Sequence, residues 1–346
     1  MGCASSKEET KKAEEPKQYS WDKKVKTNTE DFKVTKQKDA TIVRKPGSLN
    51  GKQFVVEDCE NCDIFVFDHT DTVSIDGCKN CRFFIGPVNG SFFLRESTAC
   101  RVVVACQQLR TRDLTDTDMM LFCFTKPSLE TTKDLRISCF QYNFTELLGL
   151  FGSAKLSPFN NDWSSVFDFN NSSESYRLIS NNDIPKPFLN LPPEGSFGTY
   201  TEGSLLKDVP SIVPLTYGIN RTRPHPHSAF ALFKATSTEA ALWFCHSIQK
   251  GVVYQTKEVK LEKRNAIEIF GAEHRAASNE FVGQSVIGIE INTAESDPET
   301  SGLAEALENI KDKLNGEPFV YFLPSDGQTS SVIKQFFYVA EPGLTM

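Results

Sequence analysis

The sequence predicts two folded parts of different class: a parallel β-helix in the first half and a ferredoxin-like α/β domain in the second. Three observations point there. Between residues 41 and 145, short strand-like runs follow one another with no amphipathic helix among them. Cysteines recur through that region at a fixed interval: Cys62 to Cys81 is 19 residues, and so is Cys81 to Cys100. Beyond residue 227, strand-like and helix-like patterns alternate instead. A repeat of about twenty residues built of strands marks a solenoid. Alternating strands and helices mark a layered sheet.

The chain has 346 residues, 39% hydrophobic and 24% charged, with a net charge of −7. That length suggests two or three domains. The composition excludes collagen-like and wholly disordered chains. The acidic balance argues against nucleic acid as a partner, and no apolar run is long enough for a spanning helix.

The chain starts Met1-Gly2-Cys3-Ala4-Ser5-Ser6-Lys7, which fits myristoylation of Gly2 once Met1 is removed. One acyl chain holds a membrane weakly, so a second signal is needed. Residues 1–40 carry 10 Lys against 8 acidic residues, a poor electrostatic anchor. Palmitate on Cys3 is therefore the expected second signal. An acylated start places the body in the cytosol, where thiols stay reduced. Residues 1–40 otherwise read as a flexible tether, with Tyr19 and Trp21 as candidate pins.

Residues 41–190 are expected to form the β-helix domain. Its strands are Gln53–Val56, Asp63–Phe67, Thr72–Ile75, Arg82–Ile85, Ser91–Leu94, Arg101–Ala105, Met119–Phe124 and Leu135–Phe140, each flanked by turn residues. After residue 145 comes a loop-rich extension expected to pack Phe151, Phe159, Trp163, Phe167 and Phe169. Residues 191–227 are rich in Pro and Gly and read as a linker. In residues 228–346 strands are expected at Ala229–Ala235, Val252–Val259, Ser285–Ile291 and Phe319–Leu323. Helices are expected at Thr238–Gln249, Arg264–Arg275 and Leu303–Leu314, the first capped by Ser237 or Thr238 and the last closed by Gly316.

Eight of the 10 cysteines lie between residues 59 and 139. Asp58-Cys59-Glu60-Asn61-Cys62 and Gly77-Cys78-Lys79-Asn80-Cys81 are near copies. Two readings compete. Small apolar thiols suit a repeated inward position; alternatively, the paired CxxC spacing matches a zinc site. The interval continues past four cysteines, to Cys100, then Met119, and close to Ser138 and Cys139, which favours the ladder. The third coil ends in Cys106-Gln107-Gln108-Leu109-Arg110-Thr111-Arg112-Asp113. Composition alone reads this as a solvated corner. The sharper reading is an arginine presented on a rigid scaffold to a phosphoryl group.

These segments, together with Lys17-Gln18-Tyr19-Ser20-Trp21-Asp22, Pro46-Gly47…Gly51-Lys52-Gln53-Phe54, Phe84-Ile85-Gly86-Pro87-Val88-Asn89-Gly90-Ser91, Ser138-Cys139-Phe140-Gln141 and Phe159-Asn160-Asn161…Trp163, closely resemble the tubulin-folding cofactor C domain family. The resemblance is strong over residues 1–165 and weak beyond. It implies a right-handed β-helix that activates an Arf-like small GTPase in trans, with tubulin a second candidate partner. Arg110 would be the inserted arginine. Gln107 and Gln108 would lie beside the partner's nucleotide, with Leu109, Gly90 and Ser91 at nucleotide-contact positions. Glu130 would touch the GTPase, and Arg112 would support Arg110 or bind Asp113.

GTP and Mg would come with the partner; no cofactor or metal of the chain's own is implied. The resemblance also implies the cytoplasmic face of the plasma membrane, with cilium, basal body and Golgi, and a role in carrying lipidated proteins to the cilium. A membrane-tethered binding scaffold is the alternative. Leu109 and Thr111 depart from bulkier or β-branched family residues, and Asp113, Asp116 and Asp118 make the next run unusually acidic. In relatives the C-terminal domain resembles nucleoside diphosphate kinase. No histidine among His69, His225, His227, His246 and His274 has the Gly-His-x-Ser-Asp setting, so no kinase activity is expected. Gly47-x3-Gly51-Lys52-Gln53 is one residue short of a P-loop and lacks its Ser/Thr.

Overall fold

Runs of four to six β-branched and aromatic residues cannot bury a face alone; each must pair with its counterpart one coil away. The computed structural model describes residues 29–189, 200–202, 212–270, 279–324 and 327–339. The strands of the first part are β1 (Lys33–Thr35), β2 (Thr41–Arg44), β3 (Phe54–Glu57), β4 (Asp63–Val66), β5 (Val73–Asp76), β6 (Arg82–Arg95), β7 (Arg101–Arg112), β8 (Thr115–Cys123), β9 (Ser128–Glu130), β10 (Lys133–Cys139), β11 (Tyr142–Phe144), β12 (Phe167–Asp168) and β13 (Tyr176–Leu178). They form a parallel β-solenoid of about six turns.

Two ladders run along it. One joins β2, β4, the first halves of β6 and β7, then β8, β10 and β13. The other joins β1, β3, β5, the second halves of β6 and β7, then β9 and β12. Like positions stack: Ile64, Phe83, Val102, Met119 and Ile137 form one inward column, each at most 1% exposed.

The corners explain the cysteine repeat. Asp58, Asn61, Asn80, Glu96, Ala99, Asp113, Asp116, Thr131 and Asp134 are left-handed, with φ of 46–54°. Asn and Asp tolerate that region best. The next residue at each corner points inward, and in the early coils it is cysteine. Cys62 stacks on Cys81 and Cys81 on Cys100, and each thiol donates to the carbonyl two residues earlier at 3.3 Å. Burial pushes the Cys59 and Cys62 thiols up and that of Cys100 up to about 12. Among the described residues no group of three or more His, Cys, Asp or Glu is arranged to hold a metal.

The interval is not constant. Arg101 pairs with Asp118, seventeen residues on, and Asp118 with Arg136, eighteen on. Met119 therefore stacks on Val102 rather than Cys100, and Ile137, not Ser138, follows it. The stack also starts before residue 41, because β1 from the expected tether pairs with β3. Arg82–Ile85 and Ser91–Leu94 are two ends of one strand, β6, with register shifts at its middle corner.

The extension contains a helix, α1 (Leu147–Ser153), where loop was expected. Its Leu147, Leu150 and Phe151 pack with Phe65, Phe84, Phe122 and Phe140 in a second core on the outer face of the first ladder. That face is covered as well as the solenoid interior, which is why these strands read as nearly continuous apolar runs. Phe159 and Trp163 are also buried, but Phe167 (52% exposed) and Phe169 (66%) are not; their rings meet edge to face at 4.8 Å. The described linker is docked rather than loose. Strand β14 (Tyr200–Glu202) pairs with β11, and Ile212 and Val213 join the second core.

The C-terminal part comprises β15 (His227–Lys234), α2 (Thr238–Ser247), β16 (Gly251–Lys260), α3 (Lys263–Phe270), β17 (Ser285–Thr293), α4 (Leu303–Glu308), β18 (Phe319–Phe322) and α5 (Thr329–Val339). Its sheet runs β16-β17-β15-β18, every neighbour antiparallel, the order of a ferredoxin-like split βαβ arrangement. Ser237 makes no capping bond to α2. The expected helix to Leu314 stops at Glu308; Ile310 and Leu314 keep their buried positions, but through a 3-10 turn, Lys311–Lys313. Helix α5 was not foreseen.

The solenoid extension covers the sheet's β16 edge. The Asn160 side-chain amide donates to the Glu258 carbonyl at 3.1 Å and accepts from its N–H at 2.6 Å, while Thr256 donates to the Phe159 carbonyl at 2.7 Å. An open edge would otherwise invite foreign strands.

Candidate functional site

In the second half of β7 side chains alternate, as a strand requires. Leu109 and Thr111 are buried; Arg110 and Arg112 are exposed, and Gln107 and Gln108 are half-buried. Neighbouring strands fix what lies beside each. Ser91 is opposite Gln108, and its hydroxyl donates to the Gln108 amide oxygen at 3.1 Å. That oxygen also faces an Arg110 Nη2 at 3.5 Å, the outer limit of a hydrogen bond. Ser91, Gln108 and Arg110 thus form one chain of contacts on one exposed face. Gln107 is held through its backbone: its carbonyl accepts from the Thr125 N–H at 3.0 Å and hydroxyl at 3.1 Å.

The two arginines differ in charge environment. Arg112 pairs with Glu96 at 3.2 Å and with Asp113 at 3.4 Å. Arg110 has no carboxylate partner among the described residues. A guanidinium keeps its charge at any physiological pH and presents a planar donor fork. Arg110 is therefore the one of the two whose fork is open to an incoming anion. Glu130 is exposed and in register with Arg112, one step from Arg110.

Some expected roles resolve into structure. A Cβ on Gly90 would stand 2.8 Å from the Asp71 carbonyl oxygen, so the glycine answers the chain's own backbone. The acidic run is largely consumed: Arg136 pairs with Asp118, with Asp116 at 2.9 Å and with Asp134 at 3.0 Å. In the short-P-loop segment, the N–H groups of Leu49 and Asn50 both donate to the Asp68 carboxylate at 2.7 Å. Asn161 and Trp163 are bracing groups, Asn161 accepting from the Cys123 N–H at 2.9 Å and Trp163 donating to Thr216 at 2.9 Å.

Sequence reasoning missed an aromatic neighbour. Phe93, Arg110, Ser128 and Phe167 share one column across β6, β7, β9 and β12. Exposed Phe167 lies on β12, the strand two steps from Arg110 and roughly 10 Å away, with exposed Phe169 just past its end. Their signal was alternation in Phe167-Asp168-Phe169, hidden among other aromatics. Gly2 and Cys3, with Tyr19 and Trp21, lie outside the described residues.

Residues 51–169 match the family "Tubulin binding cofactor C", a span that includes every solenoid residue of this face. Protein XRP2 of Danio rerio is 36% identical over 337 residues, covering 95% of this chain and 86% of the relative. The chain belongs to the XRP2 family. Protein XRP2 of Gallus gallus is 33% identical over 353 residues, covering 99% of this chain and 95% of that one. A human protein, tubulin-specific chaperone C, is 26% identical over 129 residues, 37% of each chain. Membership in the XRP2 family fits a regulator rather than an enzyme with its own reaction centre.

Proposed function

We propose that this chain is a GTPase-activating protein for an Arf-like small GTPase, into whose nucleotide site it delivers Arg110. The observation that carries this reading is the contrast between Arg112, neutralised by Glu96 and Asp113, and Arg110, exposed with no carboxylate partner among the described residues. The partner brings GTP and Mg. Arg110 neutralises charge growing on the transferring phosphoryl group, and the stiffness of the stack means little reorganisation is needed at that moment. Gln108, held by Ser91, aims the guanidinium from behind, with Gln107, Leu109 and Gly90 shaping the same face. Glu130 and Arg112 form the rim toward the GTPase. Phe167 and Phe169 supply apolar contact beside it.

The test is single-turnover GTP hydrolysis with a panel of Arf-like GTPases. Arg110→Ala should keep GTPase binding and lower the stimulated rate by about 10³-fold or more. Retained stimulation would overturn the assignment.

Acylation at Gly2 and Cys3 would hold the protein on the cytoplasmic face of the plasma membrane, and the family suggests work at the cilium, basal body and Golgi in carrying lipidated proteins. Cys3→Ser should release much of the protein from membranes on fractionation; a wild-type distribution contradicts dual acylation. The resemblance to tubulin-specific chaperone C favours a second reading, a tethered scaffold linked to tubulin. A scaffold, whether a GTPase effector or tubulin-linked, would give no stimulated hydrolysis and would tolerate Arg110→Ala. For the C-terminal domain we propose a kinase-like shape without phosphotransfer, since no histidine in the sequence has the required setting.

A further inference from the structure

We propose that the cleft between the solenoid and the C-terminal sheet is a binding site for a small organic anion carried on an apolar body. The cleft has a volume of about 490 Å³, within the range of sites that bury small ligands, and it lies where such sites concentrate, between two domains. One wall is Ile179 and Leu215 from the solenoid side; the other is Ile248, just past α2, and Val252 of β16, all four with accessible surface. These walls fit a hydrocarbon or ring body.

The charge at its edge is one-sided. Arg221 lines the cleft, and no Asp or Glu does among the described residues. In a chain of net charge −7 that is a local inversion. Arg221 is also set in place. Its guanidinium carbon lies 4.1 Å from the centre of the Tyr217 ring, which stacks on Tyr254 at 6.4 Å, and the Tyr254 hydroxyl donates to the Ile219 carbonyl at 2.9 Å. A stacked guanidinium loses little freedom on binding an anion.

The comparison with Arg223 is direct. Arg223 lies over Tyr254 in the same way, at 4.1 Å, but is paired at 2.5 Å with the buried Glu290 carboxylate. Arg221 has no carboxylate partner among the described residues. On its other side it borders a groove that includes Asp168, whose carboxylate is engaged by the N–H groups of Asn170 and Ser172 at 3.0 Å each. None of the outward residues of the arginine face takes part, so the proposal stands apart from GTPase activation.

The probes are decanoate, decyl phosphate and neutral decanol, titrated calorimetrically into the full chain below their micelle concentrations. The expected result is saturable one-to-one binding of at least one of the two anions, with decanol at least fivefold weaker. Arg221→Gln should weaken the better anion at least fivefold, and Arg221→Lys should recover most of it, which a purely structural role for the stacked plane would not allow. Val252→Phe, which narrows the cleft without touching its charge, should weaken the same anion at least fivefold and serves if Arg221→Gln fails to fold. Absence of saturable binding, equal binding of decanol, or less than a fivefold effect of Arg221→Gln or, in its place, Val252→Phe would sink the proposal.

Discussion

In the solenoid each strand has an inner row that packs and an outer row that, along the second half of β7, meets solvent. Leu109 and Thr111 are core, while Gln108, Arg110 and Arg112 are surface, all on consecutive positions of β7. In the C-terminal sheet both faces are covered. Phe233, Ile287 and Ile289 pack on one side with α2 and α4, and Phe230, Leu232 and Val286 on the other with α3 and α5. The first design keeps stability and chemistry on opposite faces of one strand. The second leaves few positions on its central strands free of packing. A reactive side chain on β7 can therefore change without loosening the fold, whereas most changes in the second sheet must disturb a core.

Four substitutions probe that contrast, in order of expected size. Phe83→Ala empties the inward column between Ile64 and Val102 and should cost about 3–5 kcal/mol in denaturant unfolding. Gly288→Ala places a methyl 2.2 Å from the Phe336 ring. It should cost about 1–3 kcal/mol, confined by hydrogen exchange to the C-terminal part. Asn80→Ala puts an ordinary side chain at a left-handed corner and removes the Asn80–Asn61 amide bond of 3.2 Å; about 1–2 kcal/mol is expected. Arg110→Ala should alter melting by no more than about 0.5 kcal/mol while stimulated hydrolysis collapses. A large loss of stability there would break the separation of faces.

The ion-pair ladder outside the stack offers a pH test. Burial pushes the Asp76 carboxyl up, but hydrogen bonds from Arg95 and Ser74 outweigh it and hold it below the usual carboxylate range. Its stabilising contribution is therefore present at neutral pH and is lost as pH falls through that lowered value. Asp76→Asn should be less stable than wild type at pH 7, and the gap should close in acid, below the ordinary carboxylate pKa of 3.8. A gap unchanged at pH 2 would show that the pair contributes nothing through its charge.

Much of the solenoid was legible because its period is written in two near-identical corners, Asp58–Cys62 and Gly77–Cys81. Later coils were misplaced by one or two residues, since Asp113-Leu114 and Asp116-Thr117 fill the same corner geometry without cysteine and the interval shortens. Strand β1 was hidden by the lysines around Val34. Helix α5 was missed because Thr329–Val339 gathers Phe336, Phe337 and Tyr338 into one aromatic run. At the candidate site, the exposure of Arg110 follows from strand alternation. Of the two carboxylates on Arg112, the adjacent Asp113 was expected from the sequence; Glu96 was not, because it belongs to the preceding coil and only the register brings it near. Phe167 escaped for the same reason, being paired to Ser128 across a distance of 39 residues.

The stacking of the second ladder also sets a ruler. From β1 to β7 the steps pass through β3, β5 and β6, roughly 19 Å at the usual strand spacing. Arg110 can stand nearer to or farther from the amino-terminal end of the stack only by whole rungs of just under 5 Å, because each coil added or removed brings one full hydrogen-bonded strand spacing. Lineages that lengthen or trim this stack would thus change the arginine's reach in discrete notches, and excision of one intact coil would be the smallest adjustment that leaves its presentation unchanged.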